Sequence, residues 1–244
     1  MNNKTNKSVK SLISTFSGKG AYEENLHFRI FRYFGYLIAK PFLNTRITPN
    51  QVTLFGLFVG LAGVVLLSLG SYWCSLAAIF VLFFHYALDW TDGCIARFRG
   101  LSSMRGEFLD AVNDVSIRGL TFLAIGINLF VVHNNAIFLF LGSLAMFGIL
   151  MDHFVQIKKA EILLVKGGAK TRKESEQLNI TFDTLILKLG KFAISKPRRY
   201  YLEIIALGAV LNQLSVVLVF YVFFNLFRLV MITYAASKFK ETRN

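Results

Sequence analysis

The sequence predicts an all-α integral membrane protein, a bundle of six membrane-spanning helices preceded by an amphipathic helix lying in the membrane interface. Three observations predict it. The 244 residues are 55% hydrophobic with a mean hydropathy of +0.52, and only 17% are charged, against about 25% in ordinary soluble domains. Phe contributes 25 residues, which suits a surface solvated by lipid. The loops that carry Lys and Arg alternate with loops that carry none. The composition excludes a disordered chain and argues against a conventional soluble enzyme. The net charge of +13 admits either nucleic acid or an anionic membrane surface as partner, and the positions of the charges decide between them.

Residues 1–20 are rich in Asn, Lys and Ser without an apolar run, which predicts a flexible N-terminal segment and not a signal peptide. Residues 21–48 hold the interfacial helix. Leu26, Ile30, Phe34 and Leu37 recur at helical spacing, with Arg29, Arg32 and Lys40 interspersed. A helix packed on the rest of the chain is the plainer alternative. Residues 49–244 form the six-span domain. Apolar stretches cover about 52–69, 73–95, 106–132, 136–155, 201–211 and 214–236. The third carries polar residues in its first half. The fifth is short and interrupted by Glu203, so a tilted or partly interfacial helix is the alternative there. The one sizeable loop, 157–199, contains an apolar stretch at 182–192 that reads as a second interfacial helix.

The charges fix an orientation. Eight Lys and Arg precede the first span, three lie between spans two and three, eleven between spans four and five, and three follow span six. The connections Gly70-Ser71-Tyr72, His133-Asn134-Asn135 and Asn212-Gln213 have none, and only Arg118 and Arg228 lie inside spans. All basic loops thus fall on one side, which places both termini in the cytoplasm. A basic cytoplasmic face suits anionic headgroups, and nucleic acid becomes a poor partner. The two cysteines, Cys74 and Cys94, stand about 30 Å apart if one helix carries both, too far for a disulfide.

Four carboxylates carry the chemistry. Asp89 and Asp92 end span two, three residues apart; Asp110 and Asp114 begin span three, four apart. On helices each pair shares a face, and the short connection makes the two helices antiparallel neighbours, so the faces can meet. Acids inside a membrane segment are costly and point to function. Four of them in one poorly hydrated place need protons or cations. Carboxylate oxygens with no His or Cys at ligand spacing suit Mg²⁺ or Mn²⁺, and two such ions would neutralise them and clamp a phosphoryl group. Helix-end aspartates paired with Arg97, Arg99 and Arg105 are the plainer alternative, but four acids at two helical spacings exceed what capping requires. Gly93 and Gly106 allow close approach of backbone and ligand, and Arg97 offers a planar fork for phosphate oxygens.

The segment 89–114, DWTDGCIARFRGLSSMRGEFLDAVND, resembles the signature of the CDP-alcohol phosphotransferase family, D-x-x-D-G-x-x-A-R-(x)8-G-x-x-x-D-x-x-x-D. Asp89, Asp92, Gly93, Ala96, Arg97, Gly106, Asp110 and Asp114 fill every fixed position. The six-span layout, the amphipathic helix and Thr48-Pro49-Asn50 before span one extend the likeness to most of the chain. The resemblance implies a reaction: a CDP-linked alcohol, often CDP-diacylglycerol, is attacked at its β-phosphorus by the hydroxyl of a small polar alcohol, and CMP leaves. It implies Asp89, Asp92, Asp110 and Asp114 as ligands of two divalent ions, with Asp114 also accepting the hydroxyl proton. It implies contacts from Gly93, Arg97, Gly106, Asn50 and Thr53 to the CDP part, and a homodimer, for which the sequence shows no interface.

Other residues have weaker claims. Arg118, one turn past Asp114, could bind a phosphate on the acceptor or pair with Asp114. Arg228 could do the former or form a structural ion pair with Glu203 or Asp152. Asn50 and Thr53 could merely cap span one. His85 reads better as a packed, hydrogen-bonded side chain than as a ligand, and Lys170, Arg172 and Lys173 better as a lipid-facing cluster than as an acceptor site. The acceptor alcohol stays open, and so does a CDP-polyol or CDP-choline/ethanolamine donor. Two other readings compete: a divalent-cation transporter lined by the aspartates, and an inactive scaffold, against which the complete signature speaks.

Overall fold

The structure, a computed structural model, describes residues 26–101, 103–165 and 200–237. These residues are helical and include no strand: α1 (Leu26–Ala39), a 3-10 turn (Lys40–Phe42), α2 (Pro49–Ser68), α3 (Tyr72–Arg99), α4 (Met104–His133), α5 (Ile137–Val165), α6 (Tyr201–Val210) and α7 (Leu214–Ser237). The flexible segment expected at 1–20 and the apolar stretch at 182–192 lie outside the described residues.

Five helices are long and apolar enough to cross a membrane: α2, α3, α4, the Ile137–Lys158 part of α5 and the Leu214–Met231 part of α7. The fifth apolar stretch is shorter than a span. Its ten residues in α6 are about 15 Å long, half of a ~30 Å hydrocarbon core. Six spans of full length are therefore not what the described residues form. Arg198 and Arg199 on one side and the turn at Asn212 on the other leave no room for a longer apolar helix.

The other boundaries follow local chemistry. The helix α2 starts at Pro49 because Thr48 and Gln51 form a reciprocal cap. The Thr48 N–H donates to Gln51 Oε1 at 2.9 Å and the Gln51 N–H to Thr48 Oγ1 at 3.4 Å. The three connections without basic residues each turn through a left-handed residue, Gly70, Asn134 and Asn212. Cys74 and Cys94 both lie on α3 and are free thiols.

The chain divides into two compact units. Among the described residues, the first comprises 26–63 and Phe80–Asp114, the second Val64–Ile79 and those from Val115 onward. In the first, α1 packs on α3. Tyr36 and Ala39 are buried with Val52, Leu88, Cys94 and Ile95, and a side chain in place of Gly35 would collide with Trp90. The apolar stripe of the sequence is the outer one: Ile30, Phe34 and Leu37 are exposed. In the second unit, Phe122, Ile125, Ile205, Leu218 and Tyr221 form a buried core. There Gly126 and Gly142 let the backbones of α4 and α5 nearly touch, and Asn128 ties its side chain to Leu67 O (2.7 Å) and Ser75 Oγ (3.1 Å).

Candidate active site

The carboxylates meet in the first unit. Asp89 and Asp92 stand in the last three turns of α3, and Asp110 and Asp114 in the first three turns of α4. Asp110 lies within hydrogen-bonding reach of Asp89, and the charges of Asp92 and Asp114 also act on Asp89. The Asp89–Asp110 approach is acceptor to acceptor. Asp89 Oδ1 and Asp110 Oδ1 are buried and receive no donor. Such a contact is stable only with a proton or a cation between the oxygens. Among the described residues no three His, Cys, Asp or Glu side chains are drawn together closely enough to hold an ion as they stand.

Asp92 is differently placed. It is buried and accepts a hydrogen bond of 2.5 Å from Thr53 Oγ1 on α2, which also reaches Pro49 O at 3.2 Å. Thr53 thus does more than cap its helix: it fixes one oxygen of Asp92. A cleft of about 180 Å³ opens beside this bond, and Asn50, Thr53, Asp92, Gly93, Arg97, Gly106 and Asp110 all line it. The Arg97 side chain is exposed and folds back along its own helix, so a Cβ at Gly93 would stand 3.2 Å from Arg97 Nη1. A Cβ at Gly106 would stand 3.3 Å from Asn50 Oδ1. Both glycines therefore keep polar groups of the cleft in place by having no side chain. His85 is buried and its Nδ1 lies 2.8 Å from Gly56 O, the hydrogen-bonded role expected for it.

Arg118 and Arg228 line a cavity in the second unit, with Asp152, His153, Tyr201, Tyr221 and Asn225. Its volume of about 20 Å³ is room for a single water. Arg228 Nε is 3.0 Å from Asp152 Oδ1, an ion pair in which both side chains are almost fully buried. The Arg118 guanidinium lies 5.1 Å from the centre of the Tyr201 ring. Sequence reasoning missed Tyr201 as a partner, since nothing in the chain order brings it to Arg118. It also missed Ser103 and Glu107 in the cleft and the hydrogen bonds of Arg99. No signal in the residue types marks these.

Fold and site together define a helical membrane protein with a carboxylate-lined cleft. Over residues 46–193 the chain matches the family described as CDP-alcohol phosphatidyltransferase. A protein of Aquifex aeolicus (strain VF5), described as an uncharacterized protein, is 29% identical over 158 residues, which are 61% of this chain and 75% of that one. The chain belongs to the CDP-alcohol phosphatidyltransferase family. It is an integral membrane transferase that moves a phosphate-linked alcohol group from a CDP-alcohol to an alcohol acceptor.

Proposed function

We propose that the protein transfers a phosphatidyl group from CDP-diacylglycerol to the hydroxyl of a small polar alcohol, releasing CMP, in phospholipid synthesis. The observation that carries the proposal is the acceptor-to-acceptor approach of Asp89 and Asp110 beside a cleft lined by Asp92, Gly93, Ala96, Arg97, Gly106 and Asp110 itself. The buried, donorless oxygens of Asp89 and Asp110 fit hard divalent cations, so Asp89, Asp92, Asp110 and Asp114 are the residues that would hold Mg²⁺ or Mn²⁺, two ions for four carboxylates. Bound there, such ions would neutralise the carboxylates and stabilise negative charge on the phosphoryl oxygens.

The chain's own residues supply the rest. Arg97, Gly93, Gly106, Asn50 and Thr53 seat the CDP moiety in the cleft. Asp114 accepts the proton of the acceptor hydroxyl. The acceptor oxygen bonds to the β-phosphorus as the bond from that phosphorus to the bridging oxygen breaks, and that oxygen leaves with CMP. Arg118 and Arg228 are the weaker candidates for acceptor binding. For Arg228 this competes with its pairing to Asp152.

The placement follows from the charges. Both termini and the active site face the cytoplasm: the nine basic residues between α5 and α6, with Lys158 and Lys159 near the end of α5, and the absence of any at 212–213 call for α6 to lead back across the bilayer as the sixth, shortened crossing. The exposed Ile30, Phe34 and Leu37 of α1 rest in the interface, and the protein acts as a homodimer.

Purified protein with CDP-diacylglycerol, Mg²⁺ and a pool of glycerol 3-phosphate, serine, inositol and inositol phosphate tests the reading. CMP should form, the mass of the lipid product should name the acceptor, and EDTA or Asp114→Asn should abolish both. CMP from a CDP-polyol or CDP-amino-alcohol but not from CDP-diacylglycerol would replace the donor. No CMP from any of them would overturn the reading.

A further inference from the structure

Arg99, the last residue of α3, makes four hydrogen bonds to the main chain of a single loop. Its Nε donates to Leu43 O (3.2 Å), Nη1 to Ile47 O, and Nη2 to both Phe42 O (2.5 Å) and Thr45 O (2.6 Å). Four of the five guanidinium N–H bonds are thus spent on main-chain carbonyls of the segment that follows α1, Phe42 at the end of the 3-10 turn and Leu43, Thr45 and Ile47 after it. The cation also sits where a helix C-terminus favours positive charge. Arg99 is itself held: Gly100 turns left-handed at φ +67° and the Leu101 N–H donates back to Ala96 O at 2.9 Å, which ends α3 in a fixed geometry.

The captured loop, 42–47, leads straight into the Thr48–Gln51 cap and then to Pro49, Asn50 and Thr53, one wall of the cleft. The facing wall is Asp92, Gly93, Ala96 and Arg97, on the same helix that ends in Arg99. Arg99 therefore ties one wall to the other. The Thr53–Asp92 bond inside the cleft and the His85 Nδ1–Gly56 O contact of 2.8 Å also join α2 to α3; Arg99 acts from the loop that leads into the cap.

We infer that Arg99 is a positioning residue for the donor: it touches no substrate but holds the Asn50–Thr53 wall at the distance that grips the CDP moiety. The inference rests on the proposed reaction. Lys cannot replace Arg here, because an ammonium has three donors in a cone and not a planar fork.

The test compares wild type, Arg99→Lys and Arg99→Met in detergent or vesicles, by steady-state CMP release and by hydrogen exchange. For both variants the donor KM should rise about tenfold while kcat falls far less and the acceptor KM stays as in wild type. Amides at 42–50 should exchange faster, those of α7 unchanged. A fall in kcat with an unaltered donor KM, or full activity in Arg99→Lys, would overturn the inference. Absence of CMP formation by the wild type would instead sink the reaction on which it rests. Hydrogen exchange then decides the clamp alone: selective loss of protection at 42–50 supports it, unchanged protection removes it. Should Arg99→Met fail to fold, Arg99→Lys carries the same comparison.

Discussion

At the ends of α3 and α4 two acids, Asp89 and Asp110, approach each other with no donor on their buried oxygens, whereas in the second unit Arg228 and Asp152 meet as opposite charges 3.0 Å apart. Both groups are removed from water among apolar helices. The first stores repulsion that something else must cancel, and it lies beside a cleft of about 180 Å³; the second cancels its own charge and surrounds room for one water. Burial of charge alone therefore does not mark an active site. Like charges brought together beside open space do, because a fold gains nothing from them unless a ligand arrives.

Replacing one charge should then have opposite consequences in the two regions. The largest effect is expected for Asp110→Asn. CMP formation should fall about 10³-fold or more, while thermal unfolding measured with EDTA present should shift upward by roughly 2–4 °C, since repulsion with Asp89 is relieved. A lower melting temperature for that variant would end the contrast. Arg228→Met should do the reverse. It strands Asp152 among apolar helices at a cost of about 3–5 kcal/mol, seen as a large drop in melting temperature, and adding Asp152→Leu should recover most of it. If the double variant is no better than the single one, the pair is not what Arg228 contributes.

Smaller changes sharpen the picture of the cleft. Gly93→Ala puts a methyl group 3.2 Å from Arg97 Nη1, so the donor KM should rise about tenfold with the melting temperature unmoved. Steady-state kinetics with CDP-alcohol varied would show it. Thr53→Val removes the donor to Asp92 and should lower kcat/KM by about fivefold, equivalent to ~1 kcal/mol, with Thr53→Ser close to wild type. Equal rates for Val and Ser would mean that Thr53 serves only its own helix.

Much of this was legible in the residue order. Helix ends are set by neighbours in sequence: the Thr48–Gln51 cap, and Gly70, Asn134 and Asn212 at the turns. The spacing of Asp89, Asp92, Asp110 and Asp114 announces a shared face because an α-helix repeats every 3.6 residues and the connection between the helices is short. The shortness of the fifth apolar stretch was visible too, and the structure makes it a ten-residue helix, shorter than the five that are long enough to cross a membrane. For α1 the periodicity found one apolar stripe, Ile30, Phe34 and Leu37, but the stripe that packs against α3 uses Tyr36, Ala39 and the bare backbone of Gly35.

By itself the sequence determined the class of the protein, its apolar helices and the facing positions of its four aspartates, because composition and helical period act locally along the chain. Only the tertiary structure decided which of two roles each polar group takes. Thr53 could cap α2 or hold Asp92, and it holds Asp92 because α2 lies against α3 there. Arg228 could await an anion or neutralise Asp152, and it is paired. Arg99 could pair with the helix-end aspartates or bond elsewhere, and four carbonyls, 52 to 57 residues away in sequence, are turned toward its guanidinium. Such choices depend on distances between segments remote along the chain, and a residue's type and its neighbours in sequence do not encode them.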